Sequence, residues 1–161
     1  MASHCDFDEM AKAPPFTEVY PGLFMGSKRA LDSRDAGLFD VFISTAAEIK
    51  PPQSIMGDFA SYHILLDDKP WKFGDHPEEV VELVTAAADV AMMVRRGKKV
   101  LIFCHMGMNR SGLMTALTLM NLGYTWQQAL AAIRQRHGCT LSNQSFVDSL
   151  PFAQSIITAK P

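Results

Sequence analysis

The run Cys104-His105-Met106-Gly107-Met108-Asn109-Arg110-Ser111-Gly112 places a thiol, an imidazole, a guanidinium and a hydroxyl within one short stretch. A tight turn with Gly107 inside it can aim successive backbone N–H groups at one centre, and a helix that begins at its end adds a positive dipole end. Such a cradle suits a phosphate, and His105, Met106, Gly107, Met108, Asn109 and Arg110 form the expected phosphate-binding set. The same inward-pointing dipoles favour a thiolate, which makes Cys104 the candidate nucleophile. The planar fork of Arg110 can hold two phosphate oxygens and the charge that builds on them during transfer, a task lysine performs less well. Ser111 can donate to the sulfur and help it leave again. Taken singly, Cys104 reads as a buried core thiol and Arg110 as a surface residue, because free cysteine is among the most buried residue types. The conjunction of Cys, five residues, Arg and Ser, with Gly in the middle, favours the catalytic reading. Zinc competes poorly: Cys104 and His105 are adjacent and there is no Cys-x-x-Cys. No metal and no cofactor is expected.

The loop needs a rigid strand before it and a helix after it. Lys98 to Phe103 is a buried-strand candidate, and the chain turns helical from about Ser111 to Asn121. Upstream, short strands are expected at Thr17 to Tyr20, Leu23 to Met25, Val41 to Ser44 and Tyr62 to Leu66, with turn signals at Pro21-Gly22 and Pro51-Pro52. Asp75, Pro77 and Glu78 open a helix in which Val80, Val84, Ala87, Ala91 and Val94 recur at helical spacing, and Gly97 ends it. Thr125 with Gln128 opens another helix, which Gly138 closes. A last helix starts near Ser142, turns Phe146, Val147 and Leu150 inward, and is bent or interrupted by Pro151. This order predicts a single-domain α/β sandwich: a central, mostly parallel sheet flanked by helices, with the phosphate-binding loop between a central strand and a helix. In such sheets ligands sit beyond the carboxyl ends of the strands, where Lys98 to Phe103 delivers Cys104.

With 161 residues and 48% apolar content, the chain is sized for one domain. Residues 1–15 read as an N-terminal arm and 16–161 as the catalytic domain. A net charge of −2, from 15 basic and 17 acidic side chains, lacks the global basic field of a dedicated nucleic-acid binder, so the anion site must be local. Cys5, Cys104 and Cys139 are odd in number and far apart, a poor disulfide framework that fits a reducing compartment. A cytoplasmic monomer is expected, with neither a signal peptide nor a membrane span.

Cys104 to Arg110 with Ser111 resembles the C-x5-R-[ST] signature of the cysteine-dependent protein tyrosine phosphatase superfamily, and the chain from about residue 17 to 155 is similar to its small dual-specificity class. The resemblance implies a phosphorylated protein substrate and a two-step reaction through a phosphocysteine, with an aspartate as general acid and then base. That aspartate comes from a loop after a strand, which points to Asp68, with Asp67 as second choice and Asp75 as a third that more naturally caps a helix. Lys69, Trp71 and Lys72 lie nearby and can touch substrate. Two departures stand out. The family usually carries His immediately before the nucleophile, where this chain has Phe103; and Ser142-Asn143 stands where a Pro-Asn pair braces the loop. Asn143 is the candidate brace, or otherwise a helix-start residue, and Cys139 is either a structural cysteine or a thiol able to form a disulfide with Cys104. The loop also resembles that of cellular RNA triphosphatases, so a 5′-phosphate of RNA is an alternative substrate. A phosphate-binding pseudophosphatase without turnover is the alternative from another class.

Overall fold

In the computed structural model, which describes residues 13–32, 34–46, 58–61, 77–136, 138 and 140–159, β1 (Phe16–Tyr20), β2 (Leu23–Ser27), β3 (Val41–Ser44), β4 (Asp58–Ser61) and β5 (Val100–Cys104) form one sheet. The order is β1-β2-β5-β3-β4. Only β1, joined to β2 through Pro21-Gly22, runs antiparallel; the pairs β2/β5, β5/β3 and β3/β4 are parallel. β5, in the middle, is buried along its whole length, as the unbroken apolar run Val-Leu-Ile-Phe-Cys requires of an inner parallel strand.

Alternation along β5 divides the core. Val100 and Ile102 face a layer of four helices, α1 (Pro77–Arg95), α2 (Arg110–Asn121), α3 (Trp126–Arg136) and α4 (Gln144–Ala159), and pack with Met25, Val84, Leu117 and Phe146. Leu101 and Phe103 face the other way, into a cluster with Ala30, Leu31, Phe39 and Phe42. That second face is covered by two 3-10 turns, Lys28–Leu31 and Arg34–Leu38, whose lack of periodicity gave no signal in the sequence. Edge-to-face ring contacts at 5.0 Å (Phe16–Phe39), 5.1 Å (Phe24–Phe39) and 5.9 Å (Phe39–Phe42) tie this cluster together.

The helices follow their sequence signals. In α1 the buried positions Val80, Val84, Ala87, Ala91 and Val94 are joined by Leu83 and Val90, and Gly97 follows at φ +82°. Glu78 and Glu79 in the first turn and Arg95 in the last match the helix dipole. The capping box of α3 is formed: Gln128 N donates to Thr125 Oγ1 at 3.2 Å and Thr125 N donates to Gln128 Oε1 at 3.0 Å. α4 runs through Pro151 as one helix, so the proline does not interrupt it. Burial of Phe146, Leu150 and Ala153 on either side of the proline outweighs the single backbone bond it removes. The fourth strand is Asp58–Ser61, whereas Tyr62 to Leu66 and Asp75 lie outside the described residues. Among the described residues no helix is long and apolar enough to cross a membrane.

Candidate active site

β5 ends at Cys104 and α2 begins at Arg110, so the loop 105–109 bridges a buried strand and a buried helix. Cys104 is 3% exposed, and two polar groups meet its sulfur. Gly107 N donates to Sγ at 3.2 Å. Ser111 Oγ lies at 3.2 Å, hydrogen-bonded to the sulfur; when the sulfur is a thiolate, the hydroxyl is the donor. The loop therefore curls around the thiol, with a backbone amide and a side-chain hydroxyl converging on it from different turns.

Gly107 makes this curl possible on two counts. Its φ is +73°, and a Cβ there would stand 3.0 Å from Gly26 C and Ser27 N and 3.1 Å from Gly26 O. The neighbouring strand β2 is thus the wall against which the loop is pressed, and no side chain fits between. Gly107→Ala is expected to destabilise the protein by about 1–3 kcal/mol through combined strain and overpacking. It should also lower turnover by at least roughly tenfold, because the amide that meets the sulfur moves with the loop. Thermal unfolding and aryl phosphate kinetics check this; an alanine variant with wild-type values in both would contradict the tight seat.

The far side of the loop rests on residues 140–143. Leu141 N donates to Met108 O at 3.2 Å, and Asn143 N donates to Asn109 Oδ1 at 2.9 Å, while Asn109 Nδ2 donates to Ser142 Oγ at 3.2 Å. The Asn109 side chain makes no cap on α2, although it holds the position before the helix. Asn143 contributes its backbone N–H to this brace, while its Oδ1 accepts from Ser145 N at 3.1 Å and so caps α4. Asn143 thus meets the loop through its backbone while its side chain caps α4, and the side chain that crosses between the two segments is that of Asn109. Leu141 is buried with φ +59°, a costly conformation for a branched side chain. The fork of Arg134 fixes it, Nε donating to Thr140 O at 3.2 Å and Nη2 to Leu141 O at 2.9 Å. Thr140 and Leu141 close over Gly112, where a Cβ would meet Thr140 Cγ2 at 2.5 Å.

Behind the nucleophile, Phe103 O accepts from Thr45 N at 2.9 Å and from Thr45 Oγ1 at 2.8 Å, and Thr45 is fully buried. Sequence reasoning passed over Thr45 because it lies 58 residues from its partner. The Phe103 side chain belongs to the aromatic cluster on the opposite face of the sheet from the helices. Phe103 is therefore held in place by packing on that face. His105 and Met106 form the outer rim, Met106 with 47% of its surface exposed, and Arg110 and Met108 are half-buried. Asp67, Asp68, Lys69, Trp71, Lys72, Cys5 and Cys139 lie outside the described residues.

Comparison with known proteins agrees with this fold. Residues 23–155 match the family model described as dual specificity phosphatase, catalytic domain. Among solved structures, human DUSP28 superposes with a TM-score of 0.76 at 22% identity, covering 91% of this chain and 97% of that one. The human tyrosine phosphatase-like serine/threonine/tyrosine-interacting protein gives 0.70 at 21% identity, covering 89% and 98%. OH1 of the Orf virus, a tyrosine phosphatase, gives 0.62 at 21% identity, covering 88% and 90%. No curated protein matches the sequence. At these identities the structural likeness speaks for the fold.

Proposed function

The chain belongs to the dual specificity phosphatase catalytic-domain family, and from that premise we propose that it hydrolyses phosphotyrosine and phosphoserine/threonine in proteins, without a metal, through a phosphocysteine. The observation that carries this reading is the double coordination of the Cys104 sulfur, by Gly107 N and by Ser111 Oγ, each at 3.2 Å, directly before the helix that Arg110 opens. A core thiol needs neither partner.

In the first step the sulfur lone pair attacks phosphorus and the bond from phosphorus to the leaving oxygen breaks. Asp68 gives that oxygen a proton, so tyrosine, serine or threonine departs neutral. Arg110 and the backbone N–H groups of the loop hold the three non-bridging oxygens as charge spreads over them. In the second step the Asp68 carboxylate takes a proton from water, whose oxygen attacks phosphorus. The P–S bond breaks, sulfur leaves as thiolate with Ser111 donating to it, and inorganic phosphate is released. Arginine, helix dipole and aspartate together supply the charge and the proton that a metal-bound water supplies elsewhere.

The test is hydrolysis of an aryl phosphate by freshly reduced protein in the presence of a chelator, followed across pH. Wild type should give a bell-shaped kcat/KM profile, since the thiol must be ionised and the acid protonated. Asp68→Asn should lose the basic limb and roughly 10²–10⁴-fold in rate. If Asp67→Asn does this instead, the acid is Asp67; a chelator-sensitive activity would overturn the mechanism.

A further inference from the structure

β2 and β5 run parallel with Ser27 level with Cys104. The residues that follow, Lys28 and His105, therefore leave the sheet side by side at its carboxyl edge. Their side chains meet: Lys28 Nζ lies 3.5 Å from His105 Nε2, and since an ammonium can only donate, the ring nitrogen accepts. The backbone carrying Lys28 is firmly placed. Ser27 N donates to Pro15 O at 3.0 Å, and Ser27 Oγ accepts from Arg29 N at 3.2 Å to open the 3-10 turn. Arg29, the adjacent cation, donates instead to Ala13 O at 3.2 Å, on the arm side of the strand. Lys28 and His105 are both exposed, and among the described residues the hydrogen-bond partner of Lys28 is that ring nitrogen, not a carboxylate. A full positive charge thus stands beside the residue next to the nucleophile, outside the loop that receives the scissile phosphate.

We propose that Lys28 is a specificity residue: with His105 it forms an anion-accepting rim beside the phosphate cradle. This rim favours polypeptide substrates that carry a second anionic group, a carboxylate or another phosphate, next to the phosphoester being cleaved. The proposal rests on the phosphatase reading above. A peptide whose phosphorylated side chain reaches down to Cys104 must lay its backbone across the rim, and successive residues of an extended chain stand only about 3.3 Å apart. A flanking anion then lies well within the distance over which salt at physiological strength leaves a charge pair unscreened, roughly 8 Å. The long, flexible lysine stem suits a point-charge contact of this kind, tolerant of where the anion sits.

Three phosphotyrosine peptides identical except at the positions flanking the tyrosine, where they carry Gln, Asp or phosphoserine, decide the matter, with p-nitrophenyl phosphate as a substrate that has no flank. Wild type should show kcat/KM about threefold to fivefold higher for the Asp peptide than for the Gln peptide, and more for phosphoserine. The preference should shrink as salt is raised. Lys28→Ala should erase it and Lys28→Glu should reverse it, while p-nitrophenyl phosphate hydrolysis stays within about twofold of wild type. An effect limited to the Asp or to the phosphoserine peptide identifies which anion the rim takes. Equal preference in wild type and Lys28→Ala, or no preference in wild type, overturns the proposal. Failure of wild type to hydrolyse even p-nitrophenyl phosphate would sink the phosphatase reading, and this one with it.

Discussion

Replacing Cys104 by serine should abolish turnover of an aryl phosphate, by on the order of 10⁴-fold or more, while leaving phosphate binding largely in place. The oxygen of serine is a near-isostere of the sulfur but stays protonated near neutral pH, so the attacking group disappears and the cradle does not. Gly107 N still points inward, and Arg110 still opens α2. The position is 3% exposed, and the smaller atom costs only a slight loss of packing, so the variant folds. The measurement is paired: steady-state hydrolysis, and calorimetric or competition binding of a phosphopeptide. Loss of turnover with binding retained supports a phosphocysteine route. Unchanged turnover would mean that phosphorus is attacked by some other nucleophile, and binding without turnover in wild type too would mark a phosphate-binding module.

The second large effect is expected from Arg110→Lys, a substitution that keeps charge and length but loses the fork. Arg110 is half-buried at the start of a helix whose next ten residues, Ser111 to Met120, are all buried, so its backbone is rigid and its reach is fixed. Two parallel N–H bonds to phosphate oxygens become one mobile ammonium, and the charge that spreads over three oxygens in transit is met by one donor at a time. A fall of roughly 10²–10³-fold in kcat/KM is expected, with KM raised and kcat lowered, since the contact serves both bound substrate and transition state. Stability should barely change. A variant with unaltered kcat/KM would remove Arg110 from the site, and a fall in KM would point to strain relieved in the bound state.

Much of this site was legible because its determinants are local. The strand-loop-helix order around Cys104, the glycine in the turn and the Ser one residue past Arg110 all fall within a dozen positions, and the fold delivers them in that sequence. The parallel sheet was legible for a related reason: buried inner strands leave unbroken apolar runs such as Val100 to Phe103. What escaped lies between distant segments. The resemblance pointed to Ser142-Asn143 as a brace, but not to Asn109 as the side chain that meets Ser142 across 33 residues, nor to the grip of Thr45 on Phe103 across 58. Neither pair has a periodicity or a composition that singles it out. The 3-10 turns over the second face were missed because turns of so few residues repeat nothing. Pro151 shows the opposite case, a strong local breaker that does not interrupt its helix because the residues on either side of it are packed.

The burial of α2 on every side has one more consequence. A helix that faces solvent nowhere along Ser111 to Met120 cannot fray on its own, and its amide protons can exchange with water only when the surrounding layer opens. Ser111, whose hydroxyl meets the sulfur, sits in the first turn of that helix, so this side of the thiol's surroundings is tied to a cooperative unit expected to open late. Loss of the hydroxyl from beside the thiol is therefore expected to follow opening of the helical layer, with the Ser111 to Met120 amides exchanging only as that layer gives way.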